Sequence, residues 1–400
     1  MLDGMRMRKA TSALVGLLLA GVAATPAHAE SIRERQWHLT AMKADDIWKI
    51  STGKGVTVAV IDSGVDRVPE LEGQVLPGKD FATAESGYKG DERTDYDNHG
   101  TTMAAIIAGS GKHPSGDGAF GLAPGAKILP IRVPHEFSKR APSWTAAIRY
   151  AADSDAKVIN ISMGLPTEDP ERLDAVKYAL SKGKLIFAAV GNDGDSTNEV
   201  NYPAATPGVV GVGAVDPKGA ATAESQRGPQ VDISAPGIDI FTACAGGSEV
   251  CKSHGTSDAS ALTSASAALL WSAHPDWTNN QVLRVLLNTA GKPKDGAERN
   301  DGIGYGVVRP RIALPTPGDP GPADVFPLPD LAAADAAASK SPSPSSSPES
   351  KAPESGKPAP APQAEEKKDG SVLPWIALGL GACVIIGGAV TAVVVRRSNR

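Results

Sequence analysis

The stretch Val56-Thr57-Val58-Ala59-Val60-Ile61 is the strongest indication of the fold of this chain. Its residues are all apolar or β-branched, and such a continuous run is typical of a strand that is buried on both faces, as in a parallel sheet. Further runs of this kind follow at residues 127–133, 157–161, 184–190 and 209–215. These five segments are predicted to be the strands of one sheet.

Helix signals lie between and after these runs. Asp169-Pro170-Glu171 supplies an N-cap, a proline at the first helical position and an acid in the first turn, and Gly183 ends the segment. Thr278 and Gln281 form a capping box ahead of an apolar periodic segment. The alternation of strands and helices predicts an α/β fold, a doubly wound and mostly parallel sheet with helices on both faces.

Composition divides the chain and excludes one class of function. The formal net charge of −5 excludes a broadly basic nucleic-acid-binding protein. Hydrophobic residues make up 41% of the chain, enough for one large core, which we assign to a domain at residues 30–314. Residues 315–371 are rich in Pro, Ala, Ser and charge, and they predict a disordered linker because they bury too little apolar surface to offset the entropy of ordering.

The N-terminal end resembles an export signal. Basic residues precede an apolar run at residues 13–24, and Ala27-His28-Ala29 offers small residues at the two positions that a signal peptidase reads. Residues 1–29 are therefore predicted to be a signal peptide that is cleaved after Ala29. The alternative is a retained N-terminal anchor.

The C-terminal end predicts a membrane anchor. Residues 372–395 carry no charge, and at about 1.5 Å per residue a helix over this range is long enough to span a bilayer. Arg396, Arg397 and Arg400 follow, which predicts a cytoplasmic tail at residues 396–400. The expected topology is a single-pass protein of the cell membrane with its domain outside. The alternative is a buried core helix.

Three chemically useful residues stand at the ends of predicted elements. Asp62 ends the first strand, His99 opens a helix, and Ser257 opens another. A serine hydroxyl is a poor nucleophile without a base, histidine has a suitable pKa for that role, and a carboxylate holds the imidazole in one tautomer. Each residue alone also has a structural explanation, as a strand-end acid, a loop histidine or a helix cap.

The motifs around these residues resemble a known family. Ile61-Asp62-Ser63-Gly64, His99-Gly100-Thr101 and Gly255-Thr256-Ser257 are similar to the three signature motifs of the subtilisin-like serine peptidases, in that family's chain order. The similarity runs from Gln36-Trp37 to the turn Gly304-Tyr305-Gly306-Val307-Val308. It implies a subtilisin-like fold and a serine endopeptidase that acts on proteins or peptides without a cofactor, with Asp62, His99 and Ser257 as its catalytic triad.

The resemblance also implies other site residues. Asn192, in Ala188-Ala189-Val190-Gly191-Asn192, resembles the asparagine of the family's oxyanion hole, although an Asn in a Gly-rich turn is the alternative. Ser162-Met163-Gly164 resembles the segment that pairs with the substrate backbone. Asp258 and Ala261 depart from the family, in which many members have an apolar residue and a proline there. The Asp258 carboxylate either raises the pKa of His99 or merely faces solvent at the helix N-terminus.

Cys244 and Cys251 closely precede the serine motif. In an exported domain such a pair is predicted to form a disulfide, with two free thiols as the alternative. The cysteine spacing does not suggest a metal site, and none is predicted. The remaining Cys383 lies in the predicted membrane segment.

The layout as a whole resembles the mycosins, the membrane-anchored subtilases associated with type VII secretion in actinobacteria. The similarity lies in the short segment before Gln36, the Pro-rich linker and the C-terminal membrane helix. It implies a type VII secretion complex as a partner. The alternatives are a general cell-surface processing protease and a catalytically silent subtilase domain that serves as a scaffold in a membrane complex.

Overall fold

The fold of this protein is built around a parallel sheet. A computed structural model describes residues 30–134, 142–246 and 250–340. The described residues form a seven-stranded sheet with strand order β2-β3-β1-β4-β5-β6-β7, in which every pair of neighbours is parallel. In chain order its strands are β1 Thr57–Asp62, β2 Lys79–Asp80, β3 Lys127–Arg132, β4 Val158–Ile161, β5 Leu185–Ala189, β6 Val210–Val215 and β7 Ile233–Pro236. A separate antiparallel pair consists of β8 Ile240–Thr242 and β9 Cys251–Ser253.

The five predicted strands are confirmed, each within one residue at either end. Two strands of the sheet were not predicted. The edge strand β2 is only two residues long and carries the exposed Lys79, and β7 ends at Pro236, so neither shows a continuous apolar run.

Helices cover both faces of the sheet, as predicted for a doubly wound fold. In chain order the helices are α1 Ile32–Arg35, α2 Trp37–Ala41, α3 Ala44–Ile47, α4 Ala82–Ser86, α5 His99–Ala108, α6 Pro142–Asp153, α7 Pro170–Ser181, α8 Thr256–Ala273, α9 Asn279–Thr289, α10 Pro310–Ala313 and α11 Pro329–Lys340. The two predicted helix starts are confirmed, because Asp169 accepts from the N–H of Glu171 and Thr278 forms a capping box with Gln281.

The strands alternate their side chains between two core layers. Val58 and Val60 of β1 belong to the layer under α5, α8 and α9, whereas Ala59 and Ile61 belong to the layer under α6 and α7. Burial on both faces explains the continuous apolar runs of the sequence. Because the strands are parallel, their carboxyl ends meet at one edge of the sheet, and α5 and α8 begin at that edge.

The predicted linker differs from the structure in its first part. Residues 315–340 pack on the domain: Arg284 of α9 donates to the carbonyls of Pro320 and Pro322 at 2.8 and 2.9 Å, and Leu328 is buried. The composition of this segment lacks apolar bulk, but the Arg284 guanidinium, the buried Leu328 and the partly buried Phe326 hold it. A disordered linker therefore cannot begin at residue 315.

The remaining predictions for the two ends concern segments outside the described residues. These are the signal peptide at residues 1–29, the rest of the linker and the transmembrane helix at residues 372–395. Within the part of the chain that the structure describes, no helix has the length and hydropathy needed to cross a bilayer.

Candidate active site

Asp62 and His99 meet at the carboxyl edge of the sheet. Nδ1 of His99 lies 2.7 Å from Oδ1 of Asp62, which is the last residue of β1 and is buried. The same carboxylate oxygen accepts from the backbone N–H of Ser63 at 2.8 Å, which fixes its direction. An imidazole that donates through Nδ1 presents Nε2 as an acceptor.

A carboxylate that was not singled out in the sequence shapes the turn before His99. Oδ1 of Asp95 accepts from the backbone N–H of Asn98 at 2.9 Å, and its Oδ2 accepts from the N–H and the hydroxyl of Thr101. Asn98 has a left-handed backbone conformation, with φ of 70°, and is the N-cap residue of α5. Asp and Asn favour such turns because their side chains bond to nearby backbone N–H groups and because they tolerate the left-handed conformation, so Asp95, Asp97 and Asn98 are its sequence signal.

The charges around His99 favour its protonated form. Burial disfavours the charged imidazole, but the negative charge and the hydrogen bond of Asp62 outweigh that penalty. Asp97 and Asp258 add to the effect, and together these groups raise the pKa of His99 to about 9.

Ser257 is the second residue of α8 and lies beside the end of β4. Its Oγ donates to the carbonyl of Ser162 at 3.0 Å, and the Oγ of Ser162 donates back to the carbonyl of Ser257 at 3.2 Å. In this structure the hydrogen bond of the Ser257 hydroxyl is thus with Ser162 and not with His99. The helix is preceded by Gly255 at φ of 118°, where an added Cβ would lie only 2.9 Å from Nδ2 of Asn192.

Asn192 lies next to the start of the same helix. Its Oδ1 accepts from both the backbone N–H and the hydroxyl of Thr256, each at 2.9 Å. A backbone N–H only donates, so the accepting atom must be the amide oxygen and the amide nitrogen of Asn192 faces the other way. Thr256 thus orients the amide nitrogen of Asn192, a role that the sequence motif did not indicate.

The segment Ser162-Met163-Gly164 directly follows β4. Asn160, inside the strand, donates to the Oγ of Ser162 at 3.0 Å and accepts from Ser260 and Ser264 of α8, so this segment is tied to the helix that carries Ser257. Beyond it, Leu165 pairs with Tyr202 through two backbone hydrogen bonds of 2.9 and 2.8 Å.

A disulfide joins Cys244 to Cys251, as predicted, with their Cα atoms 5.8 Å apart. The loop that it closes contacts the site, because the N–H of Ala245 donates to Oδ1 of Asn98. The residues that the structure describes contain no cluster of His, Cys, Asp or Glu suited to a metal ion.

Comparisons with known proteins agree with this architecture. A family model described as the subtilase family matches residues 53–306. A thermophilic serine proteinase of Bacillus sp. (strain AK1) is 38% identical over 62% of this chain and 60% of its own length. The match thus spans less than two thirds of that curated relative.

Two solved structures are similar to this chain over most of their length. The crystal structure of MycP1 from Mycobacterium smegmatis has a TM-score of 0.63 and 29% identity, covering 75% of this chain and 89% of that one. The structure of the MycP3 protease from the type VII (ESX-3) secretion system has a TM-score of 0.58 and 34% identity, covering 69% of this chain and 87% of that one.

Proposed function

This chain belongs to the subtilase family, and we propose that it is a serine endopeptidase with Asp62, His99 and Ser257 as its catalytic triad. The observation that carries the proposal is the 2.7 Å contact between His99 Nδ1 and Asp62 Oδ1. It holds the imidazole in the tautomer whose Nε2 accepts the proton of Ser257.

Acylation then requires Ser257 to exchange its partner. Its hydroxyl leaves the Ser162 carbonyl and donates to Nε2 of His99, while Oγ attacks the scissile carbonyl carbon. The proton moves to His99, and Asp62 stabilises the imidazolium. Collapse of the tetrahedral intermediate passes that proton to the leaving amine.

The oxyanion is stabilised by donors that are already oriented. Asn192 offers its amide nitrogen because Thr256 holds the amide oxygen, and the backbone N–H groups at the start of α8 add the positive end of the helix dipole. The Ser162-Met163-Gly164 segment binds an extended substrate by strand addition.

We further propose that the chain is a membrane-anchored, exported protease with a type VII secretion system as partner. The apolar residues 372–395 with their terminal arginines support the anchor, and residues 1–29 support export. The likeness to MycP1 from the ESX-1 type VII secretion system and to MycP3 from the type VII (ESX-3) secretion system supports the partner. A general cell-surface protease and a silent scaffold are the competing functions.

Hydrolysis by the full-length chain in detergent tests the enzymatic proposal. Unfolded proteins should be cleaved by the wild type and by Ser272→Ala, a control on the same helix, but not by Ser257→Ala. A folded wild-type protein that cleaves nothing contradicts the proposal. In the organism that carries the gene, restoration of type VII secretion by Ser257→Ala as well as by the wild type would identify a scaffold.

A further inference from the structure

Asp258 is a buried carboxyl group in the first turn of α8, directly after Ser257. An acid at this position of a helix usually faces solvent or bonds back to the N–H of the N-cap residue. Here the N-cap is Gly255, and its N–H already donates to the carbonyl of Gly237 at 2.8 Å. The capping role therefore does not explain the carboxylate, and its full burial excludes the solvent-facing alternative raised by the sequence.

The hydrogen bonds of Asp258 are incomplete. Oδ1 accepts from the Oγ of Ser253 at 2.8 Å, whereas Oδ2 is buried and has no hydrogen-bond partner among the described residues. Leaving a buried acceptor unpaired costs free energy of folding, and an apolar side chain at this place would avoid that cost. A costly ionisable group beside a nucleophile is typical of a functional site.

The charged groups that face Asp258 connect it to His99. Burial raises the pKa of Asp258 to about 7, against the hydrogen bond of Ser253 and the charges of His99 and His254. Glu224, which bonds to His254, pushes the pKa of Asp258 the same way as burial does. Above neutral pH the carboxyl group is therefore mainly ionised, and its charge adds to those of Asp62 and Asp97 at the His99 ring.

We propose that Asp258 is a positioning residue that restrains this peptidase by acting through His99 and not on the substrate. The inference rests on the proposed function. A protonated imidazole cannot accept the proton of Ser257, so the rate of acylation should rise with pH until His99 is neutral, near its pKa of about 9. Ionised Asp258 keeps His99 protonated and so holds the enzyme at low activity between about pH 7 and pH 9.

Removal of the Asp258 charge should release the restraint. Asp258→Asn preserves the acceptor for Ser253 and the side-chain volume. It should lower the pKa of His99 and move the acid limb of kcat/KM down by about 0.5–1 pH unit. This raises kcat/KM by about 2- to 3-fold near pH 8, where Asp258 is mainly ionised and His99 is still largely protonated. Far above pH 9 the variant should have no advantage, because His99 is then neutral in both proteins and the less basic imidazole is the weaker base.

The experiment measures kcat/KM for a peptide, and the rate of labelling by a fluorophosphonate, against pH for the full-length wild type and Asp258→Asn. Asp174→Asn is the control, because it removes an exposed carboxylate on α7. The titration of His99 is followed separately by NMR in Ser257→Ala with and without Asp258→Asn. A shift of the acid limb and of the His99 titration in Asp258→Asn but not in Asp174→Asn supports the proposal.

Two other outcomes distinguish a failure of the proposed function from a failure of the proposed restraint. A wild type that neither labels nor hydrolyses at any pH defeats the proposed function itself. An active wild type whose acid limb coincides with that of Asp258→Asn overturns the restraint and leaves Asp258 as a structural anchor of β9. If Asp258→Asn does not fold, Ser253→Ala is the deciding variant. Loss of the hydrogen bond from Ser253 raises the pKa of Asp258, so the acid limb of kcat/KM should shift in the same direction by a smaller amount. An unchanged acid limb in Ser253→Ala overturns the proposal.

Discussion

Ser257 and Ser162 exchange two hydrogen bonds across a separation of 95 residues, from Ser257 Oγ to the Ser162 carbonyl at 3.0 Å and from Ser162 Oγ to the Ser257 carbonyl at 3.2 Å. The carbonyl that accepts from the proposed nucleophile belongs to the segment that we expect to bind the substrate backbone. A backbone N–H of the substrate would therefore compete with Ser257 for this oxygen and free the hydroxyl for His99.

Ser162→Ala should weaken the domain more than the chemistry. The substitution removes the hydroxyl that donates to Ser257 and leaves the buried amide of Asn160 without its acceptor. We expect a loss of about 1–3 kcal/mol in the free energy of unfolding. The drop in kcat should stay below about tenfold, because the Ser162 carbonyl remains. Thermal melts check the loss of stability, and peptide hydrolysis checks the change in kcat.

The control is Ser266→Ala, because Ser266 is a buried serine whose hydroxyl bonds within α8. A loss of kcat as large as that of Ser257→Ala would contradict this view.

Asn192→Asp should lower kcat with little change in KM. The aspartate keeps an oxygen for Thr256 but replaces the amide donor by a charged acceptor, so the variant loses stabilisation of the oxyanion, and Asn192→Ala removes the donor without adding a charge. The magnitude known for the corresponding donor of subtilisin is about 10²- to 10³-fold in kcat. Steady-state kinetics of Asn192→Asp and Asn192→Ala measure it. Equal activity of wild type and both variants would show that Asn192 is a turn residue.

Loss of the disulfide should disturb the site before it unfolds the sheet. The loop between Cys244 and Cys251 contacts Asn98, next to His99, and β9 carries Ser253, the partner of Asp258. In the chain-entropy model so short a loop contributes about 2–3 kcal/mol. Reductant should therefore lower both activity and melting temperature of the wild type. It should not affect the double variant Cys244→Ser/Cys251→Ser. A wild type indifferent to reductant, with its disulfide shown to be reduced, would refute the prediction.

The segment after α10 should contribute to stability. It is held by Arg284, by the buried Leu328 and by the 2.7 Å ion pair between Lys177 and Asp335. Burial of a leucine alone contributes about 1.5–3 kcal/mol, whereas the exposed ion pair adds little. A chain that ends at residue 314 should melt below one that ends at residue 340. The melting temperature of the longer chain with Arg284→Lys should lie between those of the two truncated chains, because lysine lacks the guanidinium group that donates to the carbonyls of this segment. Equal melting temperatures of the two truncated chains would contradict this prediction and would indicate that a free linker begins at residue 315.

Features that depend on local pattern were readable from the sequence. The strand that ends at Asp62 is buried on both faces, so its apolar run marks it, and the caps at Asp169 and Thr278 depend on neighbours three residues away or fewer. Motif order also pointed to Asp62 and His99, which the structure places in contact.

Features that depend on distant contacts were not readable. The segment at residues 315–340 lacks an apolar pattern, and its attachment depends on Arg284, far back in the chain. The burial of Asp258 depends on Ser253 and on the elements packed over the start of α8, and sequence reasoning left it open whether this carboxylate faces solvent. The same holds for the bond between Ser257 and Ser162, which only the folded sheet brings together.

The most direct test of the central claim is to map the residue that a fluorophosphonate modifies in the folded, full-length protein. The account predicts one adduct, on Ser257, which is absent from Ser257→Ala and suppressed in His99→Ala, because acylation depends on the base. Tryptic mass spectrometry after labelling near pH 9, where about half of His99 is neutral, identifies the modified residue. A folded protein that carries no adduct, or one that is labelled equally in Ser257→Ala, would contradict the assignment of this chain as a serine endopeptidase.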